Sequence, residues 1–135
     1  VQQAVEVTGG TAWLDVGSSL AGDLGAPRIA GTGSLQGGAN WELLLTNALP
    51  STTAWLCLGV GRIDAPFKGG VLVPDLSPPG FALPLPIPAD GNLTLASTWP
   101  TGVPSGSEFV FQYWVQDASG PLGFTASNGL VATTP

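Results

Sequence analysis

The sequence predicts an all-β fold, and three observations carry that prediction. No segment sustains a 3.6-residue apolar period, because Gly and Pro, present 20 and 13 times, interrupt it throughout. Short apolar or alternating runs recur instead, bounded by turn residues at the spacing of a β-sandwich. The stretch FVFQYWVQD, starting at Phe109, alternates Phe109, Phe111, Tyr113 and Val115 against Val110, Gln112, Trp114 and Gln116. The expected architecture is a two-sheet antiparallel sandwich, Ig-like or jelly-roll-like, with about 8–10 short strands. The 135 residues make a single domain, 1–135.

Strands are expected near residues 3–8, 11–16, 27–35, 40–47, 53–61, 70–73, 81–87, 92–98, 108–117 and 122–133. The last is expected to be interrupted around Ser127-Asn128-Gly129. VQQAVEVTG sets Val1, Gln3, Val5 and Val7 against Gln2, Ala4, Glu6 and Thr8, with no Pro before Pro27. Such a free-ended, pairing-competent strand either closes its own sandwich or, as residues 1–10, is exchanged into a neighbour's sheet.

FALPLPIPADGNLTLAST reads as a hairpin around Asp90-Gly91, the residue pair that tight turns favour. Pro84, Pro86 and Pro88 occupy alternate positions on its first arm. In a strand they remove every N–H from one side, so the arm pairs on one side only and is a blocked edge. A polyproline-like excursion is the competing reading.

Composition excludes several functions. Charged residues are 9% of the chain, against about 25% in an ordinary domain. With three Lys plus Arg, nine Asp plus Glu and a net charge of −6, the chain lacks the basic footprint that nucleic acid or an anionic membrane needs. No apolar run reaches the ~18–20 residues of a membrane-spanning helix. The sequence contains no His, which removes the commonest general base and most zinc sites. Lys68 falls in a turn, PFKGG, and Cys57, within AWLCLGV, reads as a buried thiol. The carboxylates are scattered singly. No catalytic residue, metal site or cofactor is expected, and the protein is not expected to be an enzyme. Asn92-Leu93-Thr94 is an N-glycosylation sequon.

The five tryptophans are the strongest candidates for a contact surface. Trp114 stands between Gln112 and Gln116 as a sugar-stacking residue would, with Trp13 and Trp55 next. Burial under a loop or second sheet, or contact with another protein, are the competing uses. Trp41 alternates with Leu43 and Leu45 and reads as core.

AWLCLGVGR, PFKGGVLVPDL, LPLPIPADGNLTL and TWPTGVPSGSEFVFQYWVQDASGPLGFTASNGLVATTP follow one another in an order that resembles an all-β module. That module is found at the C-terminus of secreted proteins of planctomycete-type bacteria, and its function is largely uncharacterised. The resemblance covers the chain from about residue 31 onward. It implies an exported β-sandwich at the cell surface or outside the cell, and no catalytic residues. The functional expectation is a secreted structural protein that self-assembles into an extracellular filament or surface layer by β-strand complementation. The alternative is a non-catalytic carbohydrate-binding or adhesion module with a polysaccharide partner.

Overall fold

The computed structural model describes residues 12–135, so the expected N-terminal strand with Val1, Gln3, Val5 and Val7 lies outside the described residues. Eleven strands follow: β1 (Trp13–Gly17), β2 (Arg28–Thr32), β3 (Asn40–Thr46), β4 (Thr53–Gly59), β5 (Arg62–Phe67), β6 (Gly70–Pro74), β7 (Phe81–Pro86), β8 (Leu93–Thr98), β9 (Glu108–Gln116), β10 (Phe124–Ala126) and β11 (Gly129–Thr133). The larger sheet has the order β1-β11-β9-β4-β7, with β10 also pairing β9. A second sheet is β2-β3-β8, and β5-β6 form a two-stranded hairpin. All named pairings are antiparallel and the sheets pack as a sandwich, which is the fold class the sequence predicts.

The core lies where the alternation of β9 puts it. Phe111, Tyr113 and Val115 belong to one buried cluster with Ile29, Leu43 and Leu45 of the smaller sheet. The opposite face of β9 is buried as well. Val110 packs with Val73 and Val131, and Trp114 with Cys57 and Ala126. The β5-β6 hairpin supplies this outer cover, so the strand is buried on both faces.

Two sequence expectations need correction. Arg62–Phe67 carries a strand that the sequence reading lacks. Asp64 has φ +48°, the register slips between Arg62 and Ala65, and most of its residues are exposed. A bulged outer strand with one partner shows no apolar alternation to read. The Asp90-Gly91 hairpin is the second correction. β7 pairs with β4 and β8 with β3, so its two arms lie in different sheets. The turn itself forms: the Gly91 N–H donates to the Pro88 carbonyl at 3.1 Å, with Gly91 at φ +78°. It reverses the chain at a corner between the sheets, and each arm pairs with a neighbour in its own sheet. A turn signal specifies a change of direction and not a pairing partner.

The break at Ser127-Asn128-Gly129 is a one-residue bulge. Register runs from Trp114↔Ala126 to Phe111↔Leu130, which sets three residues against Gln112 and Tyr113. The Ser127 hydroxyl accepts the Tyr113 N–H at 2.9 Å and so stands in for the lost ladder bond. Asn128 turns towards the other sheet. Its Oδ1 accepts the Ile29 N–H at 2.8 Å and its Nδ2 donates to the Ile29 carbonyl at 3.1 Å. Gly129 passes so close to β6 that a Cβ would lie 2.8 Å from a Val73 methyl.

One side-chain amide therefore joins the two sheets through two buried backbone groups. Asn128→Ala is expected to strand both, at about 1–3 kcal/mol each. Urea unfolding should show a loss of at least about 2 kcal/mol, with the far-ultraviolet spectrum retained.

Candidate functional site

Gln112 is fully buried, and its side chain uses every hydrogen-bonding position it has. Its Oε1 accepts from the Val73 N–H and from Trp114 Nε1, both at 3.0 Å. Its Nε2 donates to the carbonyls of Val71 and Ser127, both at 3.1 Å. One residue of β9 thus holds β6 from above, the bulge beside it, and the indole two positions along. Trp114 is 2% exposed and meets the Phe67 ring edge-on at 5.0 Å.

Of the uses open to Trp114 these facts fit burial under a covering segment, and they remove Trp114 and Gln112 as a sugar-contact pair. Both are closed off by the β5-β6 hairpin, and their polar atoms are bonded to each other and to backbone. Gln116, the third member, is exposed and lines the rim of the cavity beneath that hairpin. Trp55 lies on the same outer face, half-buried against Cys57 and Trp114. Beneath the hairpin is an apolar cavity of about 370 Å³, lined by Trp55, Cys57, Phe67, Leu72, Trp114 and Phe124 among others. Phe67 and Leu72 were not readable as its wall from sequence. The available signal was PFKGGVLV, two apolar flanks around a tight turn. The Lys68 ammonium lies 5.2 Å from the Phe124 ring centroid and 5.7 Å from that of Phe67, so it sits against aromatic faces at the mouth.

Trp13 has a different place. It packs into the inter-sheet core, 6.2 Å from Trp41 and 6.1 Å from Phe111 between ring centroids. Its Nε1 donates to the Gly33 carbonyl at 3.0 Å. Together with Asn128 on Ile29 and the Arg28–Asp15 ion pair at 3.3 Å, it fastens the outer edge of β2 to the larger sheet. None of the three named aromatics forms an open stacking platform flanked by sugar-binding amides.

The sheet edges differ in chemistry. β7 ends the larger sheet, with Leu83 and Leu85 opposite Leu56 and Ala54 of β4. The Ile87 N–H donates to the Thr52 carbonyl at 2.8 Å, which fixes the phase: odd residues face β4, and Pro84 and Pro86 face outward. Pro88 lies past the strand, and its carbonyl accepts from Ser51 and Gly91. β8 ends the smaller sheet with neither proline nor a pairing strand on its outer side among the described residues.

Among the described residues, no group of three or more His, Cys, Asp or Glu is placed to hold a metal ion. Asn92 is exposed next to the Asp90 turn, and its N–H donates to the Asp90 carboxylate at 3.0 Å. Burial pushes the Cys57 thiol up to about 12 and the Tyr113 hydroxyl to about 12, so neither ionises near neutrality. Scans against protein-family models, curated proteins and solved structures found no match to this chain.

Gln112→Leu keeps most of the volume but leaves two donors and two acceptors unpartnered. It is expected to lower stability by at least about 3 kcal/mol, with Trp fluorescence reporting a loosened outer layer. Alkaline pH gives an independent check. The folded-state values of Cys57 and Tyr113 lie above their ordinary values of 9.0 and 10.0. Their contribution is therefore intact below about 9 and is lost as pH rises towards about 12. Denaturant midpoints should fall across that window, and Cys57→Ala should flatten the early part of the fall.

Proposed function

We propose that the protein is a secreted structural subunit that assembles into an extracellular filament or surface layer by β-strand complementation. The observation that carries this reading is the unequal treatment of the sheet edges. β7 presents Pro84 and Pro86 outward and cannot template another strand. The outer edge of β2 is fastened by Trp13, Asn128 and Arg28. The outer edge of β8 has no such protection among the described residues. Monomeric β-proteins guard all of their edges, so selective guarding fits a chain that uses one of them.

The composition supports the same reading. Nine per cent charged residues give subunits little to hold them apart. The alternating Val1, Gln3, Val5 and Val7 supply a strand with one apolar face. Burying each Val is worth about 1.5–3 kcal/mol before ordering and association costs. The resemblance to exported bacterial modules supports the extracellular location.

Deleting residues 1–8 tests the proposal directly. Full-length protein should give large particles in light scattering and filaments or layers in negative-stain microscopy. The deletion should leave monomers with an unchanged near-ultraviolet spectrum. A full-length protein that stays monomeric at high concentration, or a deletion that assembles normally, overturns the reading.

A further inference from the structure

The larger sheet is five strands wide along its path and the smaller only three. On one side the two meet, through β1 and β2. On the other, Ser97, Thr98 and Trp99 at the end of β8 line a shared cavity with Leu58 of β4 and Phe109 and Phe111 of β9, so the end of β8 lies across from β9 and β4. β7 is one strand further out: Leu85 and the following Ile87 still pack against the core at one end, whereas Phe81 and Leu83 at the other end are left open. Its side chains record this. Phe81 and Leu83 are register partners of Leu58 and Leu56, which pack into the core, yet each is 45% exposed. Leu93 and Leu95 of β8, on the facing inner surface, are only partly buried. The smaller sheet is short by one strand.

The backbone of β8 is oriented to receive it. Ile29 directs its N–H and carbonyl outward to Asn128, so by alternation Arg28, Ala30 and Thr32 bond β3. Continued through the register of β3 and β8, the same alternation turns Leu93, Leu95 and Ser97 towards β3. Thr94, Ala96 and Thr98 then direct their N–H and carbonyl groups into the empty strand position.

We propose that this slot, beside β8 and opposite Phe81 and Leu83 of β7, is the acceptor for residues 1–8 of a second copy of the chain. The proposal rests on the strand-complementation reading above and adds where the strand goes. Val1, Val5 and Val7 supply the apolar face that the half-covered leucines and Phe81 lack, and no proline interrupts the segment's own donors. Thr8 of the same chain falls short of the slot, so the full strand 1–8 is not accommodated there from within one chain. β1 and β7 are four strand spacings apart, about 19 Å, and the sheets are separated by about 10 Å more. The five Cα steps from Thr8 to Trp13 span at most about 18 Å when fully extended, and the route passes around the core. The prolines of β7 leave the slot as the single way to add a strand on this side.

Three full-length variants test the assignment. Ala96→Pro removes an outward N–H from β8 with its ring on an exposed face, as Pro84 does in β7. Leu83→Glu places a charge on the wall of the slot. Val5→Asp spoils the donor and leaves the slot intact. Sedimentation velocity should show each variant as a monomer, with assembly weakened at least tenfold and Trp emission as in the native protein. An equimolar mixture of Ala96→Pro and Val5→Asp should form one-to-one dimers and nothing longer, because one donor and one acceptor remain. If Val5→Asp assembles normally, strand complementation itself is wrong. If Val5→Asp is monomeric while both slot variants assemble, complementation stands and the acceptor lies elsewhere. Slot variants that are monomeric but yield no dimers in the mixture also overturn the slot.

Discussion

The four hydrogen bonds of the Gln112 side chain are the constraint on which the outer half of the molecule depends. A glutamine in the middle of a central strand is tolerable only if every polar atom is met, since each unmet one costs about 1–3 kcal/mol. Here the partners are backbone groups of β6, the carbonyl of Ser127 and the indole of Trp114. Meeting them draws the β5-β6 hairpin down onto β9. That in turn covers Trp114, creates the apolar cavity around Trp55 and Phe67, and buries Cys57. The polar residue is what permits the strand to be buried on both faces without becoming wholly apolar.

Ser127 and Asn128 complete the same junction from the other side. Because the bulge adds one residue, the chain presents two adjacent polar side chains in opposite directions. Ser127 repairs the ladder at Tyr113, and Asn128 reaches across the core to Ile29. The segments QYW and SNG, far apart in sequence, thus form one hydrogen-bonded unit that links the hairpin, the larger sheet and the smaller sheet. This junction also sets the hydrogen-bonding phase of β2, and through β3 that of β8.

Much of the fold was legible because its signals are local. Alternation located β3, β4, β8 and β9, and the proline phase marked β7 as an edge. The inner face of β9 was readable from Phe111, Tyr113 and Val115. What was not legible depends on tertiary partners. Trp114 between two glutamines has the same local pattern whether it stacks on a sugar or sits under a hairpin. The hairpin that decides it contains β5, whose bulge and proline erase the alternation. Asp90-Gly91 announced a turn, but whether the arms pair with each other or cross between sheets is fixed by β3 and β4. Trp13 was a candidate contact residue, whereas its indole packs against the core and donates to the Gly33 carbonyl.

The placement of the two ends of the proposed contact determines what kind of object forms. The proposed donor segment precedes β1, which lies at one side of the sandwich, and the open slot lies at the other, beyond β8. Donor and acceptor are different surfaces, so the contact is heterologous. A pair joined through it still has one unused strand and one unused slot. The interface therefore does not close on itself as a two-fold dimer does, and successive copies continue until a rotation closes a ring or an open filament grows. Guarded edges at β2 and β7 then have a specific consequence. In the proposed assembly they would suppress lateral addition at those two edges and favour growth through the β8 slot.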